Sequence, residues 1–121
     1  MNNSTPTSFN FIGENTELNG DLYLKGDTHI YGKVKGNITG DKDITLTVEY
    51  TGQVEGNISN VNVVILGQVL GNIIESNRIE ATSSARVKGI ISGQRFQIFP
   101  GAKIRGEIKS LSSTKTQPSL I

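Results

Sequence analysis

The sequence predicts an all-β fold, a parallel β-helix (a solenoid) in which about six coils stack into a rod. The first observation behind this prediction is a motif, Gly-x-Val-x-Gly-Asn-Ile, at residues 32–38, 52–58 and 67–73. The second is the return of the motif at a nearly constant spacing, and the third is the alternation of apolar and polar side chains within it. A repeat this short cannot bury its own apolar face, so each copy must stack on its neighbours.

Three weaker copies of the motif, at residues 16–22, 85–91 and 102–108, bring the number of repeats to six. Each copy has a glycine at its centre, and successive central glycines are 16, 20, 15, 18 and 17 residues apart. These glycines are Gly20, Gly36, Gly56, Gly71, Gly89 and Gly106. We expect glycine at this position because it lets a strand bend or lets two backbones approach closely.

Side-chain alternation identifies the repeated unit as a strand. Val34, Gly36 and Ile38 share one parity, whereas Lys33 and Lys35 share the other. A period of two belongs to a strand and not to a helix. Strands that return to an equivalent position once per repeat form a coil of parallel strands.

The repeats place the β-helix at residues 11–111, between two tails. Residues 1–10 are polar and residues 112–121 are rich in Ser and Thr, so we expect both tails to be disordered. Further apolar strand segments lie between the motifs, at residues 28–30, 44–48, 61–65, 78–81 and 96–99. The longest spacing predicts an extended corner at residues 40–43 or 49–51.

An aromatic and aliphatic cluster, Phe9, Phe11 and Ile12, closes the first tail. It is either a patch that touches a membrane or docks on a partner, or simply the beginning of the first coil. No Lys or Arg precedes Lys25, so the electrostatic half of a membrane anchor is missing. We therefore favour the structural interpretation and expect weak or no direct membrane binding.

Side chains on the polar parity should form ladders, because successive coils are in register. Asn37, Asn57 and Asn72 are predicted to stack as one ladder. Lys35 and Glu55 are predicted to lie on adjacent coils as a weak surface ion pair.

One set of outward positions is apolar. Leu70, Ile74 and Ile90 all fall on the polar parity. Isolated exposed aliphatic residues are common on protein surfaces, but neighbouring ones on one face also fit a lateral contact between rods. The sequence leaves both interpretations open.

The charge is uneven along the chain. Residues 1–60 contain four Lys or Arg and eight Asp or Glu, whereas residues 61–121 contain eight and three. In a β-helix, sequence position is height along the rod, so one end is acidic and the other basic. Either this is ordinary solvated charge, or the basic end meets an anionic partner.

The residue types argue against catalysis. The chain has no Cys and a single histidine, His29, so neither a disulfide nor a thiolate or imidazole metal cluster can form within it. No phosphate-binding loop of the form Gly-x-x-x-x-Gly-Lys-Ser/Thr is present. We expect no enzyme activity, no cofactor, no metal and no nucleic-acid partner. The absence of a signal pattern or a membrane-length apolar run makes the cytoplasm the expected location.

The repeats and the opening Ile-Gly-Glu-Asn-Thr at residues 12–16 resemble the bactofilins, the polymer-forming cytoskeletal proteins of bacteria. The resemblance covers about residues 11–110. It implies a right-handed β-helix that polymerises end to end without nucleotide. It also implies a scaffold for cell-shape, wall, motility or appendage machinery at the inner face of the cell membrane, with the chain itself and a membrane or wall protein as partners.

Two other classes share this architecture. Hexapeptide-repeat acyltransferases need a strict six-residue period and a histidine between coils, whereas the period here is 15 to 20 residues. A non-polymerising adhesive or ice-binding solenoid needs polar caps and a flat, repetitive outer face.

The ends of the rod are the predicted assembly sites, because no amphipathic helix is available to cap them. At the amino-terminal end, the candidate interface residues are Leu18, Leu22, Leu24 and Ile30. At the carboxy-terminal end they are Phe96, Ile98, Phe99, Ile104 and Ile108. Charge favours joining unlike ends and the family resemblance implies joining like ends. Surface charge is screened within roughly 8–10 Å at physiological salt, so we expect apolar fit to decide and the filament to be non-polar.

Overall fold

The computed structural model describes residues 9–110, with Phe9 described by its backbone alone, and contains sixteen β-strands and no helix in that range. The strands are β1 (Phe9–Ile12), β2 (Glu17–Asn19), β3 (Leu22–Leu24), β4 (Asp27–Ile30), β5 (Lys33–Lys35), β6 (Ile38–Gly40), β7 (Thr45–Val48), β8 (Gln53–Glu55), β9 (Ile58–Ser59), β10 (Asn62–Ile65), β11 (Gln68–Leu70), β12 (Ile73–Ala81), β13 (Arg86–Lys88), β14 (Ile91–Ile98), β15 (Lys103–Arg105) and β16 (Ile108–Ser110). The predicted all-β class is confirmed.

Every strand pair is parallel, and the strands form three faces of a rod. The first face contains β1, β4, β7, β10 and the carboxy-terminal parts of β12 and β14. The second contains β2, β5, β8, β11, β13 and β15. The third contains β3, β6, β9, the amino-terminal parts of β12 and β14, and β16. Each face therefore has one strand per coil, and the rod has the six coils that the repeats predict.

The core is a set of aliphatic ladders inside the rod. On the second face, Val34, Val54 and Val69 occupy the same inward position on successive coils and are fully buried. Ile58 and Ile73 do the same on the third face. Branched aliphatic side chains fit this arrangement because they are stiff and pack well on a pleated surface.

The central glycines lie at the corner where the second face turns into the third. All six have a positive φ, between 137° and 155°, which L side chains rarely adopt. A Cβ atom on Gly56 would overlap the carbonyl oxygen of Gly36, and one on Gly71 would overlap that of Gly56. Both predicted reasons for glycine, the bend and the close backbone approach, therefore apply.

The variable coil length comes from the other two corners. In the coil that ends at Gly36, residues 25–26 and 31–32 connect the strands. In the next coil the corresponding connections are residues 41–44 and 49–52. Both corners that the sequence offered as alternatives are thus extended, which accounts for the longest spacing.

The boundaries of the β-helix differ from the prediction at the amino-terminal side. Strand β1 begins at Phe9, inside the predicted tail of residues 1–10. Residues 1–8 and 111–121 lie outside the described residues, so the predicted disorder of the two tails stays a prediction. Within the described range, the chain has no helix that is long and apolar enough to cross a membrane.

Candidate assembly ends and side faces

The two ends of the rod have unpaired strand edges. Among the described residues, β15 pairs only with β13, and β16 pairs only with β14. At the other end, β1, β2 and β3 each pair with one strand of the second coil. Each end therefore presents backbone N–H and C=O groups that a further parallel or antiparallel strand can pair with.

The carboxy-terminal end exposes the apolar interior. Ile98 and Ile108 continue inward ladders that are fully buried in the middle of the rod, yet they are 42% and 46% exposed. Phe99, directly after β14, is 38% exposed. Phe96 and Ile104 are half-buried in the same coil. The structure thus brings all five residues predicted for this end into one terminal layer.

The amino-terminal end of the rod buries its apolar residues more completely than the carboxy-terminal end does. The prediction that Ile30 is an interface residue at this end is wrong. Leu18 and Leu22 are half-buried in the first coil, and Leu24 is buried. Ile30 belongs to the second coil and is fully buried beneath Ile12, its partner in the β1–β4 register. Ile12 therefore takes the end position that was assigned to Ile30. The repeated alternation of residues 9–12 and 27–30 was the signal that could have shown this.

The structure separates the residues of the candidate docking cluster, Phe9, Phe11 and Ile12. Phe11 is 60% exposed on the first face, and its ring lies 4.8 Å from that of Tyr31 and 6.4 Å from that of His29, centroid to centroid. Ile12 is only 8% exposed and faces the core, so it is not available for docking. The side chain of Phe9 lies outside the described part of the structure. Residues 9–12 thus form the first strand of the rod, as the structural interpretation expects, whereas docking through Phe11 stays a prediction.

The candidate lateral residues do not share a face. Leu70 lies on the second face and Ile74 on the third, while Ile90 occupies the corner between them. Ile74 and Ile90 are exposed and Leu70 is half-buried. The three residues flank one edge of the rod, so a contact that used all of them would have to wrap around that edge. The lateral contact itself stays a prediction.

The predicted asparagine ladder is present and has a specific hydrogen-bond pattern. The backbone N–H of Asn57 donates to Oδ1 of Asn37 at 3.0 Å, and that of Asn72 donates to Oδ1 of Asn57 at 3.0 Å. The ladder extends in both directions, because Asp21 accepts from the N–H of Asn37 and Asn72 accepts from the N–H of Ile90. It satisfies the backbone at the glycine corner, where the strand ladder is interrupted.

Two surface ion pairs of the second face run diagonally between coils. Lys33 pairs with Glu55 at 3.2 Å, and Lys35 pairs with Glu17 at 3.8 Å. The predicted pair of Lys35 with Glu55 is therefore wrong, although the two residues are direct neighbours in the β5–β8 register. Long side chains reach a diagonal neighbour as easily as a direct one.

The described residues offer little for catalysis. No three His, Asp or Glu side chains of residues 9–110 are grouped so that they could hold a metal ion. His29 contacts Glu49 at 2.7 Å. The hydroxyl of Tyr23 donates to Asp41 at 2.7 Å, and this hydrogen bond raises the pKa of the tyrosine. Both pairs lie on the outside of the rod.

Comparison with known proteins identifies the family. The family model for bactofilin, described as polymer-forming cytoskeletal, matches residues 10–109. The chain belongs to the bactofilin family. Bactofilin BacO of Myxococcus xanthus (strain DK1622) is 37% identical over 97 residues, which cover 80% of this chain and 75% of BacO. Bactofilin BacP of the same organism is 33% identical over 97 residues, which cover 80% of this chain and 40% of BacP. No solved structure matches the chain significantly.

Membership in the bactofilins confirms the predicted resemblance and the predicted class of polymer-forming cytoskeletal protein. The bactofilins are a structural, polymer-forming family of the cytoskeleton, so self-association belongs to this chain as a member. The match spans all six coils, from β1 to β16. The family assignment therefore favours a polymer-forming protein over the two alternative classes, a hexapeptide-repeat acyltransferase and a non-polymerising solenoid.

Proposed function

We propose that this bactofilin is a filament scaffold whose rods stack end to end through their apolar ends, without nucleotide and without catalysing a reaction. The observation that carries the proposal is the open interior of the last coil. The same inward ladders that are fully buried at Ile65 and Ile73 are 42% and 46% exposed at Ile98 and Ile108. A rod that remained alone in water would leave this surface unburied.

Apolar burial and strand pairing act together at such an end. Complete burial of a large aliphatic or aromatic side chain is worth about 1.5–3 kcal/mol, so the remaining burial of Ile98, Phe99 or Ile108 is worth about 1 kcal/mol each. When two carboxy-terminal ends meet, each rod contributes these three side chains. The edges of β14, β15 and β16 gain partners for their backbone groups at the same time.

We propose that like ends join, so that the filament is non-polar. The carboxy-terminal ends meet through Ile98, Phe99 and Ile108, and the amino-terminal ends meet through Leu18 and Leu22, which are half-buried in the first coil. The charge distribution opposes this arrangement, because it brings two basic ends together. Exposed charges are screened over roughly 8–10 Å at physiological salt, whereas apolar contact is not.

The cellular setting completes the proposal. The filament organises cell-shape, wall or appendage machinery at the inner face of the cell membrane, through a membrane-associated or wall protein. Direct contact with lipid is weak or absent, because the coil next to Phe11 offers His29 and Asp27 on that face instead of Lys or Arg.

The test is a charge placed in the proposed carboxy-terminal junction. Phe99→Arg and Ile98→Arg should leave small soluble species whose β-rich circular dichroism is unchanged, because each buries an unpaired charge in the contact. Tyr50→Arg is the matched control, since Tyr50 is an exposed aromatic residue at a corner in the middle of the rod. Negative-stain electron microscopy and sedimentation measure filament length and polymer fraction.

The control should assemble as the unmodified protein does. Filaments of unmodified length from both junction variants would place the junction elsewhere. Averaged images of unmodified filaments test polarity, and a head-to-tail repeat would contradict the joining of like ends.

A further inference from the structure

The second face carries an unusual concentration of positive charge at one end of the rod. Arg86 lies opposite Lys103 on the adjacent coil, and Lys88 lies opposite Arg105. All four side chains are exposed, and none forms an ion pair with a carboxylate of residues 9–110. These four residues are called the basic patch below.

The basic patch departs from the pattern of the earlier coils. On the same face, Lys33 and Lys35 of the second coil are matched by Glu55 and Glu17. Like charges directly opposite each other on adjacent strands are destabilising. An arrangement that costs stability in the free rod is relieved when an anionic partner occupies it.

The patch also has an apolar component. A shallow groove of about 270 Å³ is lined by the four cations together with Gln68, Leu70 and Val87. Leu70 occupies the outward position at which the coil before it has Glu55 and the coil after it has Lys88. Leu70 is half-buried in the groove, so it is placed to receive an apolar side chain from a partner.

We propose that the basic patch binds an extended acidic segment of a different protein, with an aliphatic residue beside its carboxylates. Alternate residues of a strand are about 6.6–6.8 Å apart. Alternate residues of an extended peptide have the same spacing and point to the same side. Arg86 is the diagonal neighbour of Leu70 on the next coil. A peptide that crosses the coils obliquely therefore places its aliphatic residue on Leu70, and the carboxylates two and four positions further along reach Arg86 and then Lys103 or Arg105. The guanidinium groups of Arg86 and Arg105 can hold carboxylates in a bidentate manner.

The residues that the structure describes do not supply this segment. Seven of its carboxylates are engaged in ion pairs or hydrogen bonds within the rod, namely Glu17, Asp21, Asp27, Asp41, Glu49, Glu55 and Glu80. The others, Glu14, Asp43, Glu75 and Glu107, are scattered along the rod on different coils. Residues 1–8 and 111–121 contain no Asp or Glu. Because the four scattered carboxylates lie on different coils, none of them supplies two carboxylates at alternate positions of one strand.

The shape of the site favours a peptide over nucleic acid or lipid. Specific protein–DNA interfaces bury about 1,000–2,500 Å² of protein surface, far more than two short strands on adjacent coils provide. A lipid surface requires protruding apolar side chains, whereas Leu70 lies within a concave groove between cations.

Fluorescence anisotropy of the full chain at physiological salt tests the proposal. The ligand is a fluorescein-labelled peptide of sequence Ser-Gly-Leu-Ser-Glu-Ser-Glu-Gly-Ser, in which Leu and both Glu residues share one side of the extended chain, and a second peptide has Ser in place of the Leu. Arg86→Glu combined with Lys88→Glu should weaken binding of the first peptide at least tenfold. Lys25→Glu combined with Lys42→Glu makes the same charge change at an exposed corner between the third and first faces and should weaken it less than twofold.

A variant that keeps the charge of the protein distinguishes specific binding at the basic patch from general electrostatic attraction. Leu70→Ser should weaken binding of the Leu peptide at least threefold and leave binding of the Ser peptide unchanged. Equal losses from the two charge-reversal variants, or no saturable binding, would overturn the proposal. Tighter binding to a thymidine oligonucleotide or to phosphatidylglycerol vesicles than to the Leu peptide would also overturn it. Leu70 lies on the side of the rod in the fourth coil, away from both ends. The Leu70→Ser variant should therefore form filaments of unmodified length in electron micrographs, whether or not it binds the peptide.

Discussion

The corner beside each central glycine shows how single residues hold the coils together. The backbone turns there with a positive φ, and the N–H of the next residue points toward the adjacent coil. Asn places a side-chain oxygen on that N–H, and on the first coil Asp21 does the same. The asparagine ladder thus repeats because an unpaired N–H group repeats with each coil.

Replacement of Asn57 should show how much one hydrogen bond of the asparagine ladder contributes to the stability of the rod. Asn57→Ala removes the acceptor for the N–H of Asn72 and should lower the free energy of unfolding by about 1 kcal/mol. Asn57→Asp keeps an acceptor, as Asp21 does for Asn37, and should cost less. Urea unfolding followed by circular dichroism measures both, in a Phe99→Arg background so that assembly does not add to stability. Equal losses of stability in the Ala and Asp variants would show that the acceptor oxygen of Asn57 does not stabilise the rod.

At the scale of the element, β1 decides where the rod begins. It pairs with β4 over four residues and places Ile12 on top of Ile30. Thr28 is also buried under this strand, where its hydroxyl accepts from the side-chain amide of Asn10. Strand β1 therefore covers the second coil on the first face, although the sequence alone leaves this segment ambiguous between tail and strand.

Two truncations test this function of β1. Deletion of residues 1–8 should leave the unfolding transition unchanged, because it ends before β1. Deletion of residues 1–12 exposes Ile30 and should lower stability by at least about 1.5–3 kcal/mol, the value of burying one large aliphatic side chain. Thermal unfolding in the Phe99→Arg background compares the two. If both truncations are equally stable, β1 does not contribute to the rod.

At the scale of the whole molecule, the rod is a stack with two different ends. The amino-terminal end is nearly closed, and the carboxy-terminal end exposes Ile98 and Ile108. Assembly through such ends depends on apolar contact and strand pairing, and neither requires a bound nucleotide or metal.

Assembly should therefore be independent of nucleotide and of divalent cations. Sedimentation with ATP, with GTP and with EDTA should give the same polymer fraction as sedimentation without additives, because the chain has no phosphate-binding loop of the Gly-x-x-x-x-Gly-Lys-Ser/Thr type. Raising the salt concentration should increase the polymer fraction or leave it unchanged, since the joined ends are alike in charge. A change in polymer fraction with ATP or GTP would contradict the proposed mechanism.

The sequence by itself determined the parallel β-helix, its six coils and the asparagine ladder. Each of these follows from a local pattern that is repeated, since the parity of Val34 and Lys35 within one strand sets which side chains point inward on all coils. It also selected the apolar residues of the last coil correctly, because the end of the repeat is the end of the rod. The right-handedness that the resemblance implies stays a prediction.

Only the tertiary structure decided which residues meet. It paired Lys35 with Glu17 instead of Glu55, placed Leu70 and Ile74 on different faces, and buried Ile30 under Ile12. It also assembled the basic patch from strands 17 residues apart. These outcomes depend on where each coil turns its corners, and the corners vary in length from coil to coil. A pattern read along the chain does not contain that information, because contacts between coils join residues 15 to 20 positions apart.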